Sequence, residues 1–163
     1  MNDKRINPFD AASEPDRHAI WEMLVTRDNR AFASADWSLV ANDFAADRFE
    51  GISANGSADP ADWSLEYPTL DGYRDRWLHM AEEYRCKPVV GDRLTLLFEL
   101  TTLDRIEIHT DRAVAWKQFK IDAPLQNGKR WQVSAQTLYR LHRIGGQWRI
   151  AGFVGYLPLE VHA

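Results

Sequence analysis

Asp28 is the residue best placed to do chemistry. It sits among Leu24, Val25, Ala31 and Phe32. If residues 14–34 form a helix, Ile20, Trp21, Leu24, Val25, Ala31, Phe32 and Ala35 fall within an arc of about 140°, and Asp28 lies near its centre. A charged carboxylate on such a face is costly unless it is paired. Two outcomes are open. Asp28 is a structural polar group bonded to an Arg or Trp of a neighbouring sheet, or it lines a pocket as an acid, a base or a ligand-binding group with a raised pKa. Glu50 is the second candidate. It shares a strand face with Ile52, because side chains two apart point the same way. If Ile52 faces a pocket, so does Glu50; otherwise Glu50 is a solvated strand-edge acid.

Neutral groups extend the candidate set. Trp116 and Gln118 alternate along 113–123, and Ser134 and Gln136 along 131–143. Amides on a concave sheet face suit hydrogen bonding to a small ligand, and they suit a dimer interface equally well. Of the seven tryptophans, Trp21, Trp77, Trp116 and Trp131 could form a broad aromatic pocket, with Tyr73 one turn before Trp77. Such a wall favours a planar or apolar ligand over a sugar phosphate. The five histidines form no i, i+4 pair and no His–carboxylate metal spacing, so no metal site is expected. Cys86 has no evident Cys–His motif around it, and there is no Gly-x-Ser-x-Gly.

The whole chain narrows the classes further. Its 163 residues suit one domain, with 1–13 as an N-terminal tail. A net charge of −4 disfavours a nucleic-acid binder held by a basic face. No window approaches the roughly 20 apolar residues of a membrane span. A single cysteine excludes a disulfide framework. The polar start, Met1 to Asp10, lacks an apolar signal core, so a cytoplasmic location is expected.

The elements that must position these residues follow from pattern. Ser13-Glu14-Pro15-Asp16 is a helix-start signal, with Ser13 as the cap. Helix 1 runs from about Glu14 to Ser34. Asp36 caps a short helix, 37–46, and 48–54 reads as a strand. A polar connection, 55–70, carries Trp63, Leu65 and Tyr67, and is either a packed surface loop or a lid. Tyr73, Trp77, Met80, Ala81 and Tyr84 mark the buried face of a helix over 70–85. From Asp92 onward the pattern turns to strands. Leu94, Leu96, Phe98 and Leu100 alternate at period two. Turns at Thr110-Asp111, Asn127-Gly128 and Gly145-Gly146 link the later strands into an antiparallel meander. Helices followed by such a sheet make an α+β protein.

These residues resemble a known family. The run AFASADWSLVANDFAADRFEG at 31–51 is similar to the opening of the NTF2-like superfamily, in its SnoaL-like and ketosteroid-isomerase-like branches. LDGYRDRW at 70–77 and LYRLHRIGGQWRIAGF at 138–153 resemble its third helix and last hairpin. The resemblance implies a cone: N-terminal helices packed in a strongly curved antiparallel sheet, with a pocket at the open end and often a homodimer. It implies a small apolar or aromatic ligand. It is compatible with a cofactor-free acid–base enzyme of isomerase, cyclase or dehydratase type, and with a non-catalytic ligand-binding or protein-interaction module. Laid onto this chain, the isomerase pattern puts its helix-1 tyrosine on Asp28 and its general-base aspartate on Ile52. Its protonated strand acid falls near Gln136 or Thr137. An isoleucine cannot abstract a proton, so a ketosteroid isomerase itself is not expected. The dehydratase pattern meets Phe32 and Ala33, which lack its tyrosine and aspartate.

Overall fold

The computed structural model describes residues 2–159; His162, one of the five histidines, lies outside them. Helix α1 (Pro15–Trp21) runs into a π-helical turn, Glu22–Arg27, and continues as α2 (Asp28–Ser34). Pro15 starts α1 as expected, but Glu14 holds the cap position. The Ser13 hydroxyl is bonded to Asp10 instead, whose carboxylate also gathers the Ala12 and Ser13 amides. Ala35, with φ 51°, closes α2 in the left-handed conformation. The short helix expected over 37–46 is a series of 3-10 turns, Trp37–Leu39, Ala41–Asp43 and Ala46–Arg48. Asp36 does cap the first of them through the Ser38 amide.

Strands β1 (Glu50–Ser53) and β2 (Ser64–Tyr67) pair antiparallel. The connection 55–70 therefore contains a strand and a 3-10 turn, Pro60–Asp62, where only a loop was expected. Helix α3 (Leu70–Cys86) follows, capped by Thr69. The next element corrects the sequence reading. Residues Arg93–Leu100 form a helix, α4, not a strand. Asp92 caps it by accepting from the Thr95 amide and hydroxyl, both at 2.8 Å. Leu96, Leu97, Phe98 and Leu100 are all buried. An apolar run buried on several sides carries no usable period, so the cap decides the conformation.

The expected meander then follows as β3 (Thr101–His109), β4 (Arg112–Pro124), β5 (Arg130–Ile144) and β6 (Gln147–Leu157). The sheet order is β2-β1-β6-β5-β4-β3, with β1 parallel to β6 and every other pair antiparallel. Helices packed in this curved, unclosed sheet make an α+β cone. Its main core joins Ile20, Leu24 and Ala31 of the first helix to Trp77, Leu103, Ala115, Leu141 and Phe153. No helix among the described residues is long and apolar enough to cross a membrane.

Candidate functional site

The site begins at the π turn. Such turns add a residue to the helix and recur at functional sites. Here the turn ends one residue before Asp28, and the Leu24 carbonyl inside it accepts a hydrogen bond from Lys117 Nζ on β4. The same ammonium donates to Asp28 Oδ2 at 2.7 Å. Asp28 Oδ1 accepts from Trp77 Nε1 on α3 at 3.3 Å. Three elements thus converge on one carboxylate. The two ends of the ion pair differ in access: the Lys117 side chain is 1% exposed and that of Asp28 is 29% exposed.

What Asp28 faces is a cavity of about 880 Å³. One stripe of α3, at helical spacing, lines it with Tyr73, Trp77, Met80 and Tyr84. Phe32 comes from α2, and Val133, Ala135, Thr137 and Tyr139 come from the inner face of β5. The rings interlock: Phe32 meets Trp77 edge-on at 5.5 Å, and Tyr73 meets Phe153 at 4.9 Å. Burial raises the pKa of Tyr73 and Tyr139, and the Asp28 carboxylate pushes both in the same direction. Both residues line the cavity, and their phenols are neutral at physiological pH. The site sets one paired carboxylate and two neutral phenols among aromatic rings, and Glu83 and Lys87 also line the cavity.

Asp28 is bonded to the sheet and to a Trp, although the sheet residue is Lys117 rather than an Arg, and it also lines the cavity. Tyr73, Trp77 and Trp131 line it as well. The other candidates lie elsewhere. Gly51 and Ser53 are the buried residues of β1, while Glu50 is exposed and Ile52 half-buried on the opposite face. Glu50 thus stands away from the cavity, and so does the position onto which the isomerase base was carried. Trp116 and Gln118 alternate with the inward Ala115, Lys117 and Phe119, so they face away from Asp28. Trp116 stacks under Arg105 at 3.7 Å. Gln136 alternates with the cavity-lining Ala135 and Thr137, and donates to the Pro158 carbonyl at 3.0 Å. Trp21 is buried in the core beside the N-terminal segment, against a separate cavity of about 460 Å³ lined also by Lys4, Ile6 and Thr101.

Sequence reasoning missed Lys117 and Tyr139. The signal for Lys117 was present: it shares strand parity with Ala113, Ala115 and Phe119, so an inward sheet face carries one cation. An inward lysine on the sheet is the partner that a carboxylate centred on an apolar helix face needs. Among the described residues, no group of three or more His, Cys, Asp or Glu side chains could hold a metal ion. His18 Nδ1 lies 2.8 Å from the Phe9 carbonyl, and exposed His79 pairs with Glu83.

No protein-family model and no curated protein matches the chain. Solved structures do. An NTF2-like protein of unknown function from Shewanella baltica OS155 is 17% identical, with 88% of this chain and 94% of that one covered at a TM-score of 0.54. A ketosteroid isomerase-like protein from Erwinia carotovora atroseptica SCRI1043 is 15% identical, covering 86% and 98% at 0.50. An NTF2-like protein with a cystatin-like fold from Novosphingobium aromaticivorans DSM is 15% identical, covering 91% and 85% at 0.53. At these identities the likeness is one of fold.

Proposed function

The chain has the NTF2-like fold, and we propose that its cavity binds a small, mostly apolar or aromatic molecule on which Asp28 performs cofactor-free proton transfer. The observation that carries this reading is the carboxylate itself: part-exposed, and held among the cavity's aromatic rings by Lys117 and Trp77. An ion pair buried for stability alone has no need of an opening onto 880 Å³.

The chemistry follows from the group types. A carboxylate oxygen has more than one lone-pair direction, so each Asp28 oxygen can keep its present donor and still accept. A ligand with a C–H beside a carbonyl would give its proton to Asp28, leaving an enolate. The neutral phenols of Tyr73 and Tyr139 are suitable donors to the enolate oxygen. Returning the proton to another atom is an isomerisation; capture of the enolate by an internal electrophile is a cyclisation.

The test is exchange of the α-protons of 2-tetralone in D₂O, followed by NMR. The wild type should accelerate deuteration, and Asp28→Asn should lose about 100-fold or more of that rate, with circular dichroism confirming the fold. No acceleration by the wild type overturns the catalytic reading. One observation favours the non-catalytic alternative: both Asp28 oxygens already hold a donor. Saturable binding of 2-tetralone without exchange would establish that alternative.

The proposal extends to a homodimer. On the outward sheet face, Trp116, Leu138, Val154, Ile52 and Leu65 stand opposite one another across five strands in register. Leu65 is 54% exposed. This apolar row suits a second copy of the chain. Leu138→Glu should convert a dimer to a monomer in sedimentation equilibrium; a monomeric wild type would remove the dimer.

A further inference from the structure

Asn29 follows Asp28 directly and lines the same cavity. It is only 4% exposed, yet its amide Nδ2 finds no hydrogen-bond partner. Buried polar groups are nearly always bonded, because leaving one unpaired forfeits its hydration with no return. The surrounding wall makes the omission more pointed. Leu97, Leu100 and Phe119 are apolar, and the Thr101 hydroxyl is committed to the Leu97 carbonyl at 2.7 Å. A leucine has the same number of side-chain heavy atoms and carries no donor to leave unpaired. The Nδ2 donor has no partner among the described residues, which leaves it free for one in binding.

We infer that Asn29 is a specificity-determining residue that hydrogen-bonds an oxygen of the ligand, and that the ligand class is a planar, apolar molecule bearing a neutral hydroxyl or carbonyl at the end that enters beside Asp28. The inference rests on the pocket reading above. Lys117 is already paired with Asp28, so an anionic group placed beside that carboxylate would be repelled; Lys87 lines the same cavity as a second cation. A hydroxyl is the best match, since it both donates and accepts, and so can serve Asp28 and Asn29 together. A bare hydrocarbon would fill the aromatic wall and leave the amide unpaired.

The test compares 2-naphthol with naphthalene by calorimetric or fluorescence titration against the wild type, Asn29→Leu and Asn29→Ala. The wild type should prefer 2-naphthol. Asn29→Leu should bind 2-naphthol about tenfold more weakly, the equivalent of one lost hydrogen bond, and hold naphthalene within about twofold. Its ligand-free form should melt about 2–4 °C higher, since an unpaired polar group has been replaced by a methylated one. Asn29→Ala, which adds no bulk, should lose the same preference. The inference is overturned by a preference that survives both substitutions, by equal loss of both probes, or by a lower Tm for Asn29→Leu, which would mean the amide is already satisfied. If the wild type binds naphthalene and 2-naphthol equally, this inference alone fails. If it binds neither, the pocket reading fails and takes this one with it.

Discussion

Removing one end of the Asp28–Lys117 pair should not cost the same as removing the other. Asp28→Asn leaves the Lys117 ammonium 1% exposed with neutral acceptors only, the Leu24 carbonyl among them. Stranding a buried charge costs about 3–5 kcal/mol. Lys117→Met keeps most of the aliphatic volume and leaves Asp28 with its Trp77 bond and its opening onto the cavity. That change costs about 1–3 kcal/mol, the scale of a lost charged hydrogen bond. The double variant, Asp28→Asn with Lys117→Met, contains no buried charge and should be more stable than Asp28→Asn alone. For a chain of this size each kcal/mol moves Tm by about 2–4 °C, so Asp28→Asn should lower it by about 6–20 °C. Thermal and urea unfolding followed by tryptophan fluorescence measure all four proteins. The reasoning is refuted if Lys117→Met costs as much as Asp28→Asn, or if the two losses add in the double variant. Additivity would mean that the two side chains do not interact.

Other consequences are open to direct measurement. Gly152→Ala should destabilise by about 1–3 kcal/mol, because the added methyl would meet the Glu50 carbonyl at 2.5 Å and push β1 off β6; urea titration reads it. Asp92→Ala should lower Tm and Asp92→Ser restore it, because a capping oxygen is what α4 requires. The Thr95 amide holds the Asp92 carboxyl below the usual range. That contribution is therefore present above about pH 4 and lost as pH falls through the lowered folded value. Tyr73 and Tyr139, raised mainly by burial, act in the opposite direction. Folded, they keep protons that the unfolded chain releases near pH 10, so stability should fall as pH rises above about 10. Ultraviolet titration should show Tyr139, the more buried of the two, ionising only with unfolding; its reversible ionisation near pH 10 in the folded state would contradict that burial.

The resemblance reached the fold because its carriers are local: the run 31–51, the segment 70–77 and the hairpin 138–153 each report on a few neighbouring residues. Two elements escaped for physical reasons. Arg93–Leu100 is buried on several faces, so its leucines show period two by accident while the Asp92 cap sets a helix. Strand β2 is an edge strand with burial confined to Tyr67, so it has little alternation to detect. At the site, Asp28 stood out because a carboxylate on an apolar arc demands an explanation. Its partner lies 89 residues away, and only the sheet register turns Lys117 inward and Trp116, Gln118 and Gln136 outward. A one-residue difference in strand parity exchanges those two sets. The same parity turns Glu50 away from the cavity. Asn29 shows nothing in sequence, since what distinguishes it is the lack of a partner.

The most direct measurement is a ¹H–¹⁵N titration of the tryptophan indole signals with 2-naphthol. Trp77 Nε1 donates to Asp28 inside the cavity. Trp148 Nε1 is bonded to Asp16, outside that cavity, and Trp116 lies on the outer sheet face under Arg105. Binding beside Asp28 should move the Trp77 indole signal saturably and leave those of Trp116 and Trp148 in place. An unmoved Trp77 signal, or equal shifts at all three, would contradict a ligand site built on Asp28.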